Sequence, residues 1–192
     1  MCATYQLSFD DLAEIKKIAD EITNKYGQET ASRTFGNDFY PKSEAPVIGK
    51  HNQVVMLKWG FPIKDTKKII FNARAESLTE KNLYKGILSN RCLVPATAFY
   101  EWSGDKTKYR VSIENTRLFY MAALWKAEIS NDNQKVYYYT IITTEPNRQM
   151  KEIHRRMPAI IAPENSQSWL NDEGAALRLL RPYEAEMNLT AV

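Results

Sequence analysis

The stretch Arg91-Cys92-Leu93-Val94-Pro95-Ala96-Thr97-Ala98-Phe99-Tyr100-Glu101-Trp102 decides how the chain is read. Its apolar and aromatic run is too short and too uniform for a helix face and reads as strand. Pro95 has no N–H to give to a ladder, which demotes part of the run to an edge or a bulge. Cys92 lies in the apolar part and reads as a buried, inert thiol. Glu101 is the informative residue. A carboxylate between Tyr100 and Trp102 is desolvated, and desolvation turns it into a usable acid or base. The plain alternative is a surface glutamate at a strand end.

Downstream, 109–114 and 118–124 read as a hairpin around Glu114-Asn115-Thr116-Arg117, with Trp125 on the same element. A β run at 136–143 follows, and together these form antiparallel core sheet. Pro146 opens a predicted helix through Ile153. His154-Arg155-Arg156-Met157-Pro158 comes next, with His154 at the carbonyl end of that helix, a position suited to donating a proton. A last strand at 158–162, a short helix at 164–170 anchored by Trp169 and Leu170, and another at 175–180 precede a tail after Pro182 that reads as peripheral.

Upstream, 1–7 reads as a strand. Ser8 with Asp11 forms a weak capping box for a helix whose buried stripe is Leu12, Ile15, Ala19, Ile22 and Tyr26, with Gly27 as its stop. The region 28–50 is irregular, and Asn37-Asp38-Phe39-Tyr40-Pro41 and Pro46 read as extended loop. His51 is a lone polar-loop histidine. The strand at 52–59 ends in Trp59-Gly60-Phe61-Pro62, where Trp59 is either a core plug or a platform on which a base stacks. From Lys58 to Arg91 there are eight basic residues against three acidic ones. Aromatics interleave them, which is how grooves hold single-stranded nucleic acid without reading its sequence; a solvated lysine face is the equal alternative. In Asn72-Ala73-Arg74-Ala75-Glu76 the polar residues alternate, so an extended backbone puts them on one face, with Arg74 free to pair with Glu76 or clamp a phosphate. A helix is predicted over 78–88.

The 192 residues suit one domain, 1–192, large enough for a good core. A net charge of +3 permits an anionic partner without requiring one. Two cysteines, Cys2 and Cys92, make neither a disulfide framework nor a metal-site spacing. No metal or cofactor is expected, and a reducing compartment is. Polar Gln6, Ser8, Asp10 and Asp11 arrive too early for a signal peptide. No apolar run reaches membrane-spanning length. The expectation is a soluble, cytoplasmic monomer.

Cys2 stands directly behind the initiator. Removal of Met1 gives it a free amine beside its thiol. Such a 1,2-aminothiol condenses with an aldehyde to an imine, and the sulfur closes on the imine carbon as a thiazolidine. The ordinary thiol and α-amine values of roughly 8.5 and 7.7–8.0 leave both groups usable near neutral pH with little tuning. The plain alternative is an accidental cysteine on a frayed terminus.

Met1-Cys2, Trp59-Gly60, Asn72-Ala73-Arg74-Ala75-Glu76, Arg91-Cys92-Leu93-Val94-Pro95 running into Tyr100-Glu101-Trp102, and His154 with Arg156-Met157-Pro158 resemble, in order and spacing, the SRAP family of SOS-response-associated peptidases, or abasic-site-processing proteins. The resemblance implies an α+β fold with a curved, barrel-like antiparallel sheet flanked by helices. It implies covalent capture of abasic sites in single-stranded DNA during DNA damage and the SOS response, through a thiazolidine on Cys2. Asn72 would orient Cys2 and the sugar, Glu101 would move protons, and His154 would protonate the deoxyribose oxygen. For DNA binding, Arg74 and Arg156 would meet phosphate, Trp59 and Phe61 would stack or wedge against bases, and Pro41 would belong to the same loop region. Autocatalytic loss of Met1 and a weak lyase branch are implied as well. The family usually opens Met-Cys-Gly-Arg; here Ala3-Thr4 replaces the last two, removing an arginine and leaving Thr4 one hydrogen bond to donate. Two other readings stay open: a cysteine peptidase or amidohydrolase with Cys2 as amino-terminal nucleophile, and a non-covalent single-stranded DNA module.

Overall fold

The structure, a computed structural model, describes residues 2–9, 12–130 and 132–192. In chain order, strand β1 (Thr4–Gln6) leads to helices α1 (Ala13–Tyr26) and α2 (Gln28–Thr34). Then come β2 (Asp38–Phe39), β3 (Glu44–Ile48), β4 (Val54–Trp59), β5 (Phe61–Pro62), β6 (Ile69–Ile70), β7 (Asn72–Arg74) and the single turn α3 (Asn82–Lys85). The second half carries β8 (Arg91–Ala96), β9 (Ala98–Trp102), β10 (Lys108–Ile113), β11 (Phe119–Ile129), β12 (Lys135–Thr144), β13 (Met157–Pro158) and β14 (Ile160–Ile161). Helices α4 (Ser166–Asn171) and α5 (Glu173–Ala176) precede the last strand, β15 (Met187–Ala191).

Five strands close on themselves. β12 pairs β4, β4 pairs β3, β3 pairs β8, β8 pairs β11, and β11 returns to β12. Closure leaves no open sheet edge in the ring. The expected barrel-like antiparallel sheet is therefore present, with one parallel seam between β12 and β4. The other sheet runs β15-β10-β9-β1-β2. Strand alternation divides the apolar side chains between two cores. Val94, Met121, Tyr139 and Ile141 meet Cys2, Tyr5, Phe99 and Val111 of the second sheet in one cluster. Leu93, Ala122, Leu124 and Ile142 turn the other way, toward Ile18 and Ile22 of α1 and Trp169 and Leu170 of α4.

Gly60 is fixed by this architecture. Its φ is +110°, and a Cβ there would stand 2.6 Å from Ile69 Cδ1 and 3.3 Å from Ile69 Cβ. Its N–H donates to the Tyr139 carbonyl at 2.7 Å, so the chain turns off β4 while still tied to β12.

Several local expectations are corrected. Helix α1 begins at Ala13 with no side-chain cap; Ser8 instead gives its N–H to Thr97 Oγ1 at 3.0 Å, and Asp11 lies outside the described residues. Its buried stripe is Ile15, Ile18 and Ile22. Within 28–50, α2 and β3 are regular. Pro46 is tolerated in a strand because β3 pairs β8 only at Ile48–Leu93, which leaves Pro46 a ladder on one side. Pro95 likewise pairs on its β11 side alone. The helix expected over 78–88 is one turn. β10 and β11 form no hairpin: β10 pairs β9 and β15, whereas β11 pairs β8, β12 and β14, so the turn at Asn115 (φ 56°) passes the chain between sheets. The tail after Pro182 is not peripheral, since β15 completes the second sheet against β10 over five residue pairs.

Candidate active site

Strand β1 is held between β2 and β9, with Thr4 opposite Tyr100 and Tyr5 opposite Phe99. Continuing that register brings Cys2-Ala3 alongside Glu101-Trp102. Cys2 is fully buried, and its thiol donates to the Thr4 carbonyl at 3.6 Å. Asn72, the first residue of β7, reaches it from the barrel. β7 pairs in parallel with β12, Ile141 opposite Asn72, and the Asn72 amide Nδ2 donates to the Cys2 carbonyl at 2.8 Å. The amide oxygen Oδ1 is buried with no hydrogen-bond partner among the described residues.

Glu101 and His154 close the cluster. The Glu101 side chain is 1% exposed, and its Oε1 lies 3.8 Å from His154 Nδ1. Burial holds the Glu101 carboxyl above its ordinary value, opposed by the neighbouring imidazole. The expected reason for this desolvation is corrected. Tyr100 and Trp102 flank Glu101 along β9 and so point to the opposite face; Trp102 is 39% exposed. His154 follows a three-residue 3-10 turn, Met150–Glu152, not a helix, so no macrodipole acts on it. Its setting is local. Nδ1 lies 3.1 Å from both the N–H and the carbonyl of Arg156. A bare Nδ1 accepts from the N–H, and a protonated one donates to the carbonyl. One atom thus has a partner in either protonation state.

The Cys2 thiol is not ready to react as it stands. Burial, then the charge of Glu101, push it well above its ordinary range. The expectation of a thiolate available near neutral pH with little tuning fails for this reason; the group is a neutral thiol beside a base.

The residues expected to meet DNA separate into two groups. Arg74 is exposed and makes no ion pair among the described residues, and Pro41 is half-buried in the turn after β2. Trp59 and Phe61 are fully buried and cannot stack on bases. Trp59 is the core plug of the two options: its indole N–H donates to the Phe71 carbonyl at 2.8 Å, and its ring lies parallel to Tyr139, 6.2 Å away. Arg156 is 9% exposed and grips Glu76 with two 2.9 Å bonds and the Thr143 carbonyl with a third at 2.6 Å. Partial burial raises the Glu76 carboxyl, but the Arg156 bonds outweigh it and hold it low. Arg156 therefore fixes the loop that carries His154 instead of facing solvent. Glu76 falls in a 3-10 turn after β7, so it does not share the face of Asn72 and Arg74. Thr4 is buried at 2% and cannot take the place of a phosphate-facing arginine.

Sequence reasoning missed the aromatic surface that does exist. Trp102 is the exposed ring; Tyr100 shares its face of β9 but is 6% exposed, and the Lys108 ammonium lies 4.1 Å from the Tyr100 ring and 5.7 Å from that of Trp102. The signal was the alternation itself: once Glu101 points in, its neighbours point out. Among the described residues, no three His, Cys, Asp or Glu are grouped to hold a metal ion. No described helix is long and apolar enough to cross a membrane.

A small closed barrel thus packs against a second sheet with Cys2 buried beside a carboxylate, an imidazole and an amide. The chain belongs to the SOS response associated peptidase (SRAP) family, whose model matches residues 1–192. It is 38% identical over 152 residues to the abasic site processing protein YoaM of Bacillus subtilis, covering 72% of this chain and 67% of that one. YoqW of Bacillus phage SPbeta, also an abasic site processing protein, is 40% identical over 152 residues, covering 72% and 68%. The abasic site processing protein HMCES of Xenopus tropicalis is 32% identical over 75% of this chain, which spans 57% of it. A crystal structure from Bacteroides thetaiotaomicron shares the fold at TM-score 0.82 and 23% identity, covering all of this chain and 92% of that one.

Proposed function

We propose that this protein captures abasic sites in single-stranded DNA by forming a thiazolidine between Cys2 and the ring-opened sugar. The observation that carries the reading is the 2.8 Å bond from Asn72 to the Cys2 carbonyl. A second residue ordinarily frays. Here it is buried and tethered by a side chain seventy positions away, beside a base and an acid. Relatives named abasic site processing proteins support the substrate class.

The chemistry follows from the groups present. Hydrolysis of the Met1–Cys2 bond consumes one water and frees the Cys2 amine; with Cys2 as its own nucleophile this is the peptidase-type step. His154 protonates the deoxyribose ring oxygen as the ring opens to the C1′ aldehyde. The amine adds to C1′, the carbinolamine loses water, and an imine remains. Glu101 accepts the thiol proton, sulfur bonds to C1′, and the proton passes to nitrogen, closing the thiazolidine. Condensation releases one water overall. Asn72 holds the Cys2 backbone, and its Oδ1 offers an acceptor to a sugar hydroxyl. If a base removes a C2′ proton from the imine before sulfur closes, the 3′ phosphate leaves, which is the weak lyase branch. Arg74, and the Trp102–Lys108 surface, would hold the strand.

The test is a denaturing gel of the mature protein with single-stranded DNA carrying one abasic site. A boiling-resistant adduct is expected with the native sequence and not with Cys2→Ala. Equal adduct from Cys2→Ala overturns the thiazolidine.

A further inference from the structure

The barrel has two ends, and the Cys2 cluster uses one. β4 (Val54–Trp59) and β12 pair in parallel at Lys58–Tyr138 and Trp59–Tyr139, and β12 continues to Ile141, where β7 brings in Asn72. The starts of both strands open at the other end onto a cavity of about 580 Å³. That size lies in the range of small-molecule sites. Val47, Leu57 and the buried Cys92 form its floor, and Tyr26, Trp125 and Tyr137 supply aromatic walls. The last two rings touch in a tilted pair, at 53° with centroids 6.0 Å apart, so a planar ligand would lie against them and not between them.

The polar rim has one sign. Lys25, Lys50 and His51 line it and no carboxylate does. Glu21, on the same helix as Lys25, is turned to the Val54 N–H at 3.0 Å. Lys25 has a long 3.5 Å bond to the Val54 carbonyl and lies 5.4 Å from the centroid of the Tyr26 ring, and no side-chain hydrogen bond or ion pair engages Lys50 among the described residues. The amides of Gln53 and Asn90 also line the cavity, and their side chains hold no hydrogen bond among the described residues. Aromatic walls favour a planar ring, side-chain amides match a base edge that both donates and accepts, and a cationic rim without carboxylates favours phosphate.

We propose that this end of the barrel binds a nucleotide, base against the Trp125–Tyr137 pair and phosphate at Lys25 and Lys50, as a site separate from the Cys2 cluster. The same chemistry is offered by a free nucleoside 5′-phosphate and by a nucleotide within a strand, and the experiment separates them.

Backbone-amide and indole NMR spectra of the full chain are recorded during titration with 2′-deoxyadenosine 5′-monophosphate, with the unphosphorylated nucleoside, with inorganic phosphate, and with an undamaged four-nucleotide single strand. The expected result is saturable shifts of the Trp125 indole and of residues 49–53, with the monophosphate binding at least tenfold tighter than the nucleoside. The double variant Lys25→Glu, Lys50→Glu, at two exposed positions, weakens this at least tenfold without changing abasic-site crosslinking. Tighter binding of the tetranucleotide at the same residues assigns the site to a strand, and tighter binding of the monophosphate assigns it to a free nucleotide. No saturable shift at 5 mM monophosphate (roughly a thousandfold above a tight micromolar site), shifts confined to Asn72, Glu101 and His154, or unchanged affinity in the double variant overturns the proposal.

Discussion

Glu101 Oε1 and His154 Nδ1 stand 3.8 Å apart, the carboxylate 1% exposed and the imidazole 22%. They arrive from different sheets: Glu101 on β9 of the five-stranded sheet, His154 on the turn before β13 beside the barrel. The cluster therefore exists only when the two sheets are packed, and the loop of His154 depends in turn on Arg156 gripping Glu76 and Thr143. A buried carboxyl shielded from water costs stability whenever it is ionised, so the reactive groups and the fold pull against each other at this point.

Glu101→Gln makes that opposition measurable. The folded-state carboxyl titrates above its ordinary 4.5, with burial as the main cause. The folded protein then binds the proton more tightly than the unfolded chain, and wild-type stability falls as pH rises through the window above 4.5. Glu101→Gln is expected to melt higher than wild type at pH 7–8, with the gain shrinking toward zero below pH 4.5, while crosslinking slows by about 10²–10⁴-fold. Thermal melts from pH 4 to 8 check this; a gain that does not vary with pH removes the desolvation argument.

Asn72→Ala deletes the donor to the Cys2 carbonyl and leaves that carbonyl without its partner. A loss of about 1–3 kcal/mol in denaturant unfolding is expected, together with slower crosslinking. Asn72→Asp, which cannot donate from a carboxylate, should behave no better. An Asn72→Ala protein that crosslinks at the wild-type rate would show that the tether to Cys2 is incidental.

Trp59 and Trp102 should respond to truncation in opposite ways, one as buried core and the other as an exposed ring. Trp59→Ala empties a core position and is expected to cost about 3–5 kcal/mol. Trp102→Ala should leave the melting temperature nearly unchanged and weaken single-stranded DNA by about 1–3 kcal/mol. Fluorescence-anisotropy titration alongside unfolding separates them.

Arg74 is the exposed guanidinium nearest in sequence to Asn72. Arg74→Ala is expected to weaken undamaged single-stranded DNA evenly across sequences and to reduce the slope of log affinity against log salt by about 1. Titrations at three salt concentrations read that slope. An unchanged slope takes Arg74 out of the phosphate contacts.

The strongest local patterns were legible in the sequence. The β runs at 91–102 and 136–143 carry the barrel strands β8 and β12 and the second-sheet strand β9 because β-branched and aromatic side chains suit buried sheet. Cys2, Asn72, Glu101 and His154 were readable only as a set of separated motifs; no local period says that they meet. What failed failed for long-range reasons. The turn at Asn115 looks like a hairpin turn, but β10 and β11 find better partners elsewhere, and tertiary pairing decides. Trp59 beside Gly60 reads equally as platform or plug, and only the placement of Tyr5 and Tyr139 selects the plug. Arg156 looks free until Glu76, eighty positions away, is brought against it. β15 was missed although Met187-Asn188-Leu189-Thr190-Ala191 alternates apolar and polar: the run is only five residues long, Asn and Ala are poor strand formers, and the strand is ordered by its pairing with β10.

The central claim is that the amine and thiol of one residue act together, and intact-mass spectrometry under denaturing conditions tests it most directly. Two forms are compared with abasic single-stranded DNA: one beginning at Cys2, and one in which an added residue that cannot be cleaved blocks the Cys2 amine. The account predicts a one-to-one adduct for the first, equal to protein plus DNA less one water, and only reversible binding for the second. An adduct of the same mass and yield from the blocked form would contradict it.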